Sequence, residues 1–181
     1  MPSIIQTDQL KSADGVTTYL NSGTLSNLTF PADHIVQRDS VQTGALVTGN
    51  TAGPYIDDTI PQNTEGDQVL SLAFTPTLAT NKIEISIKIQ VGADSGTLMG
   101  ALFQDTTANA IASCVQYLAA GDTVVSIGLD HTMVAGTTSP TTFKLRVGTQ
   151  VSHNISLNGV SEARLHGGVC SSSMIIKEIQ T

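Results

Sequence analysis

Between Lys82 and Val91 the chain alternates without an error. Ile83, Ile85, Ile87, Ile89 and Val91 fall on one side, and Lys82, Glu84, Ser86, Lys88 and Gln90 on the other. Successive side chains of a strand point to opposite faces, whereas a helix would scatter those five apolar residues around its circumference. The run therefore reads as a strand with one buried and one wet face, as antiparallel sheets have.

Other segments carry the same signal. Thr142–Val147 alternates, with Phe143, Leu145 and Val147 opposed to Lys144 and Arg146. Leu98–Gln104 is continuously apolar and reads as a strand buried on both sides. Val69–Phe74, Thr123–Leu129 and Ser173–Gln180 are further strands. In Asn109–Tyr117, Ile111, Ser113, Val115 and Tyr117 alternate, although Ala110, Ala112, Ala119 and Ala120 leave a short helix open. Gly148-Thr149 reads as a tight turn, after which Val151, His153, Ile155 and Leu157 form the returning strand of a hairpin. Gly92–Gly96, Gly121-Asp122, Gly136–Pro140 and Asn158-Gly159 supply turns or loops. Eight short strands at regular spacing predict an all-β jelly-roll or β-sandwich domain. The 24 Thr and 17 Ser residues agree, as does a charged fraction of 13%, about half the usual ~25%. Thr favours pleated surfaces, and a surface poor in Lys and Glu suits wide subunit contacts.

Residues 1–67 differ. Eight acidic residues stand there against Lys11 and Arg38, and most of the net charge of −7 lies in this part. Apolar residues are sparse and interrupted by Gly and Pro, too few for a substantial core, so the segment is expected to be mobile or to order by docking on other chains. The expected organisation is an extended attachment or intertwining arm over 1–40, a linker over 41–65 and a jelly roll over 66–181. Val41–Val47 is a possible first strand within the linker. The residues assigned to the arm's contacts are Ile4, Ile5, Leu10, Tyr19, Leu20, Leu25 and Phe30.

No reaction is written in the side chains. Asp94-Ser95-Gly96 resembles a serine-protease nucleophile context, but Ala93 and Thr97 stand where glycines would, and Asp, Ser and Gly are what a turn wants. His34, His131, His153 and His166 form no ligand pair of zinc-site spacing. His153, between Val151 and Ile155, reads as a core or interface histidine. Asp57, Asp58, Glu65 and Asp67 are oxygen donors of the kind Ca²⁺ takes, but they lack EF-hand spacing and read as a solvated acidic loop. Cys114 and Cys170 read as small buried apolar residues. Asn27-Leu28-Thr29 and Asn154-Ile155-Ser156 match the glycosylation acceptor pattern by chance. The acidic balance excludes a nucleic-acid binder. No apolar run approaches the ~20 residues that would span a bilayer, and Met1–Gln6 lacks the basic start of a secretory signal. No metal and no cofactor is expected.

Several runs together resemble proteins of tailed-bacteriophage virions. Ile4–Gly15 and Gly23–Pro31 are similar to the openings of fibre and virion proteins. Lys82–Ile85, Ala101–Asp105, Thr142–Gly148 and Ser172–Ile179 are similar to a jelly-roll module of tail fibres. The resemblance implies a non-enzymatic virion structural protein: a homotrimer of jelly rolls around a threefold axis, in which the N-terminal arm attaches a short tail fibre or fibre-like appendage to the particle. Its implied partners are sister chains, tail, baseplate or major capsid proteins, and a host surface receptor. Its implied location is the virion, assembled in the host cytoplasm. Gly92–Gly96, Thr106–Ala108 and Gly136–Pro140 are the loops that would face a receptor. A capsid decoration protein cementing the head is the alternative. A carbohydrate-binding or carbohydrate-active jelly roll is the third reading, disfavoured by the scarcity of paired carboxylates in strands.

Overall fold

The computed structural model describes residues 9–11, 18–21, 24–25, 31–118 and 121–181. The chain divides into two units, Met1–His34 and Ile35–Thr181. In the first, strands Gln9–Lys11 (β1), Thr18–Asn21 (β2) and Thr24–Leu25 (β3) form an antiparallel ribbon. Leu10 is opposite Leu20, and Leu20 opposite Leu25. Tyr19 belongs to β2, whereas Ile4, Ile5 and Phe30 lie outside the described residues.

The second unit begins with Ile35–Thr43 (β4), Val47–Gly49 (β5), Asp67–Phe74 (β6), Lys82–Ala93 (β7), Thr97–Gln104 (β8) and Ala112–Tyr117 (β9). It continues with Thr123–Val134 (β10), Thr141–Thr149 (β11), Ile155–Leu157 (β12), Gly159–Val160 (β13), Ala163–Arg164 (β14) and Ser172–Ile179 (β15). One sheet runs β4-β15-β7-β10, with every pair antiparallel. The other runs β6-β11-β8-β9, also antiparallel. The chain passes repeatedly from one layer to the other, and its last strand inserts between β4 and β7. This is the strand order of a jelly roll.

The alternating ribbon is β7, and its five branched aliphatics are all buried. They meet Ile127 and Leu129 of β10 and Met174 and Ile176 of β15 on their own sheet, and Leu70, Leu98, Leu102, Phe143 and Leu145 of the opposite sheet, in one apolar cluster. β8 is buried on both faces as expected, with only Gln104 partly exposed.

One edge of β7 pairs with β10 along its whole length. The other edge is shared: β15 takes Lys82–Lys88 and β12 takes Val91–Ala93. The next row is broken at the same level, β4 pairing with β15 and β5 with β12. Asn158 splices both breaks. Its backbone N–H donates to Gln90 O at 2.7 Å, and its Nδ2 donates to Thr43 O and Ala45 O, each at 2.9 Å. Its Oδ1 accepts from Ser172 Oγ at 2.7 Å, while that oxygen accepts from Gln90 N at 3.0 Å. Asn158 is fully buried with φ of 57°, a left-handed conformation that asparagine tolerates better than most residues. Buried polar groups must be paired, and these pair the backbone ends left by the two broken rows.

Several expectations change. Gly148 and Thr149 are the buried end of β11 rather than a tight turn, and Gly92 and Ala93 are the buried end of β7 rather than part of an exposed loop. Val151–Leu157 does not return as a hairpin on β11: residues 150–154 form no strand, and β12 joins the opposite sheet. Both edges of β11 are already occupied, by β6 and β8, so the chain must cross to the other layer. His153 therefore sits half-buried in the crossing, its N–H donating to Val151 O at 2.7 Å. In the ambiguous 109–120 stretch, residues 112–117 are strand, and Ala119 and Ala120 lie outside the described residues.

Candidate functional site

The outward face of the β6-β11-β8-β9 sheet differs sharply from one end to the other. The register aligns Met99 with Val115 and Gly148, Ala101 with Ser113 and Arg146, and Phe103 with Lys144. One end of the face is thus apolar and the other cationic.

A strap, residues 52–66, crosses this face. Its root is a hydrogen bond from Gly66 N to Ala52 O at 2.7 Å, beside another from Gly53 N to Thr149 O at 2.7 Å. Both ends of the strap lie against Gly148: a Cβ there would stand 2.8 Å from Gly53 Cα and 2.9 Å from Gly66 Cα. Only glycine allows so close a backbone approach. Arg146 then grips the returning end, donating from Nε to Glu65 O at 2.9 Å and from a terminal nitrogen to Gly66 O at 2.5 Å. The far side is tied to the β8–β9 connection by Asn63 N to Ala108 O at 2.8 Å and Ala110 N to Pro61 O at 2.9 Å. This is an Ω-loop, compact and closed at its ends.

The strap shields Met99 and leaves its own apolar residues in solvent. Tyr55, Ile56 and Ile60 are each more than half exposed, as are Val115 and Tyr117 of β9, with Tyr117 at 72%. Pro54, Tyr55, Ile56 and Pro61, with Asp57 and Thr59, form one wall of a groove whose other wall is Met99, Ser113, Cys114 and Val115. Among the described residues β9 pairs only with β8, so its outer edge presents backbone donors and acceptors next to this groove. An apolar, unpaired edge strand is a template for pairing with another chain.

The acidic residues do not converge. Asp57 accepts from Thr59 N at 2.8 Å and Thr59 Oγ1 at 2.5 Å, and these donors hold its carboxyl below the usual range. Glu65 accepts from Gln62 N at 2.6 Å, and Asp67 from Thr51 N and Oγ1 at 2.9 and 2.7 Å. Asp57 and Glu65 cap their own turns, Asp67 ties β6 to Thr51, and no metal-holding group of His, Cys, Asp or Glu occurs among the described residues. Asp94-Ser95-Gly96 is the β7–β8 turn, with Gly96 at φ of 90°. Cys114 is free and half-buried, and burial pushes its thiol pKa up, away from reactivity. Cys170 is also free and half-buried.

Two titratable residues occupy inward-facing strand positions. His131 shares the inner face of β10 with Leu129 and Met133, and burial lowers its pKa from 6.5. Glu178 continues the inward row of Met174 and Ile176 on β15 and is fully buried. Its carboxylate accepts from Thr77 N at 2.9 Å, Thr77 Oγ1 at 2.7 Å, Leu78 N at 3.1 Å and Asn81 Nδ2 at 2.7 Å. Burial pushes its pKa up, but these donors together outweigh that and hold the carboxyl below its ordinary 4.5. Asn81 Oδ1 beside it is buried without a partner. The phase of Met174 and Ile176 is the available signal for Glu178; the sequence marks Arg146 only as a polar-face residue and Asn158 only as a turn residue, because their partners are distant in sequence.

No known protein family and no curated protein matches the chain. Among solved structures, it is similar to a TNF protein, Eiger, from S. frugiperda, at 8% identity and a TM-score of 0.43, over 78% of this chain and 92% of that one. The C-terminal domain of EclA, a sugar-binding protein, is 12% identical with a TM-score of 0.35, over 75% and 83%. The VP2 subviral particle of infectious bursal disease virus is 11% identical with a TM-score of 0.37, over 86% of this chain and 40% of that one. These likenesses are loose, and the jelly-roll assignment rests on the strand order itself.

Proposed function

We propose that the protein is a non-enzymatic structural component of a tailed-phage virion, a homotrimeric tail fibre or fibre-like appendage whose jelly rolls associate through the strap–β9 face. The observation that carries the assembly reading is the set of exposed apolar side chains, Tyr55, Ile56, Val115 and Tyr117, around a groove beside β9, which pairs with β8 alone among the described residues. Exposed apolar surface flanked by polar residues marks interaction sites, and identical copies bury such surfaces by closed rotation. The phage setting rests on the resemblance of the sequence runs to virion proteins, and the attachment role of residues 1–40 rests on it too. Residues 106–108 and 136–140 lie in connections between strands and are largely exposed, which suits contact with a host surface.

Light scattering at micromolar concentration is expected to give a trimer. Val115→Asp, which puts a charge beside the groove, should release folded monomers with an unchanged circular dichroism spectrum. A monomeric parent, or a V115D trimer, would overturn the assembly reading. Labelled antibody on intact particles is expected to decorate the tail; label on the head would instead make the protein a decoration protein. Release of sugar from a glycan by the purified protein would end the non-enzymatic reading.

A further inference from the structure

The cationic end of the same sheet face holds a second pocket, distinct from the apolar groove. Its volume is about 240 Å³, and Phe103, Lys144 and Arg146 line it with Asn63, Gln68 and Thr106. Lys144 and Arg146 are two residues apart on β11 and so share its outward face. A shift in register between Leu145 and Arg146 sets Gln68 directly across from Arg146.

Among the described residues neither cation makes a direct ion pair. Arg146 is held by the carbonyls of Glu65 and Gly66, and Lys144 Nζ donates to the carbonyl of Asp105 at 2.8 Å. The nearby carboxylates are turned to other work. Asp105, which also borders the pocket, accepts from Thr141 Oγ1 at 2.8 Å and Thr142 N at 2.7 Å. Glu65 accepts from Gln62 N. In a chain with a net charge of −7, two of the eight basic residues meet over one polar hollow.

We propose that this pocket binds a small polyhydroxylated carboxylate, of which a hexuronate is the simplest example. The two cations read the carboxylate, since charge-assisted hydrogen bonds are shorter and stronger than neutral ones. The Gln68 amide, the Asn63 amide oxygen and the Thr106 hydroxyl offer partners to hydroxyl groups. The volume lies below the roughly 300–1,000 Å³ of drug-sized sites, which suits one sugar ring. A bare inorganic anion would use the cations and leave the two amides and the Thr106 hydroxyl idle. The site does not depend on the assembly reading, because every group named belongs to one chain.

Titration of the full-length protein with glucuronate, glucose and inorganic phosphate, followed by amide and side-chain NMR shifts, tests the assignment. Glucuronate should shift Gln68, Lys144 and Arg146 resonances with an affinity about tenfold above that of glucose or phosphate, and raised salt should weaken it. Lys144→Met should abolish that preference while Lys144→Arg, which keeps the charge, should retain it. Gln68→Ala, at an exposed position, should weaken glucuronate several-fold without altering the melting temperature. Equal affinity for phosphate or for glucose, no shift at these residues, or undiminished binding in K144M and Q68A would each overturn the proposal.

Discussion

β7 and the strap over residues 52–66 are built by opposite means. β7 is specified by its own residues: five branched aliphatics in strict alternation, each buried in the shared core. The strap has no such rhythm and leaves Tyr55, Ile56 and Ile60 in solvent. Backbone hydrogen bonds, the grip of Arg146 and the bare surface of Gly148 hold it in place. Stability in β7 thus comes from buried area, and in the strap from a few contacts made by residues far apart in sequence. Damage should therefore be global in the first case and local in the second.

The largest effect is expected from Ile85→Ala, which empties a fully buried site. It should cost about 2–5 kcal/mol, read as a lower urea midpoint for the whole domain. Gly148→Ala should cost about 1–3 kcal/mol, because its methyl group must displace Gly53 or Gly66. Its distinguishing mark is early proteolytic cleavage within residues 52–66 while the rest of the domain resists. Cleavage spread evenly along the chain would show that the strap is no separate unit.

Glu178 and His131 sharpen the contrast, because both obey the strand rhythm while breaking its polarity. Glu178→Gln replaces an acceptor with a group that must donate towards Thr77, at a cost of about 1–3 kcal/mol at neutral pH. The parent's folded carboxyl titrates below 4.5, so its stabilisation is present above that value and is lost as pH falls through the lower folded pKa. Denaturation curves from pH 6 to pH 3 should show this acid limb in the parent and not in E178Q. A smaller effect belongs to His131. The unfolded chain takes up its proton near 6.5 and the folded chain only at lower pH, so stability should begin to fall as pH drops below 6.5. His131→Leu should flatten that first decline and leave the Glu178 limb intact.

The parts legible in the sequence are those whose information is local. The alternation in β7 and β11 and the continuous apolar run of β8 could be read directly, because one strand's facing depends only on its own residues. Which strands pair is another matter. Val151–Leu157 lies next to β11 in the chain yet joins the opposite sheet, since β6 and β8 had already filled both edges of β11. The strap was invisible for the same reason. Arg146 was correctly placed on a polar face, but its acceptors, Glu65 O and Gly66 O, are some eighty residues away. Residues 35–49 carry few apolar side chains and read as arm and linker with a possible strand at Val41–Val47, whereas the strand is Ile35–Thr43, paired with β15 in a sheet whose burial is supplied by its neighbours.

The position of β15 sets the timetable of folding. As the protein is made, β7 emerges well before the segment that must lie along its flank, and until residues 172–179 appear the β4 strand has no bridge to it. The sheet therefore cannot zip from one end, and its closure waits on a contact spanning more than a hundred residues, the kind of long-range pairing that folds slowly. During that interval the isoleucine row lacks part of its cover, and a cell making the protein in quantity would need to keep neighbouring copies apart until the final strand slots home.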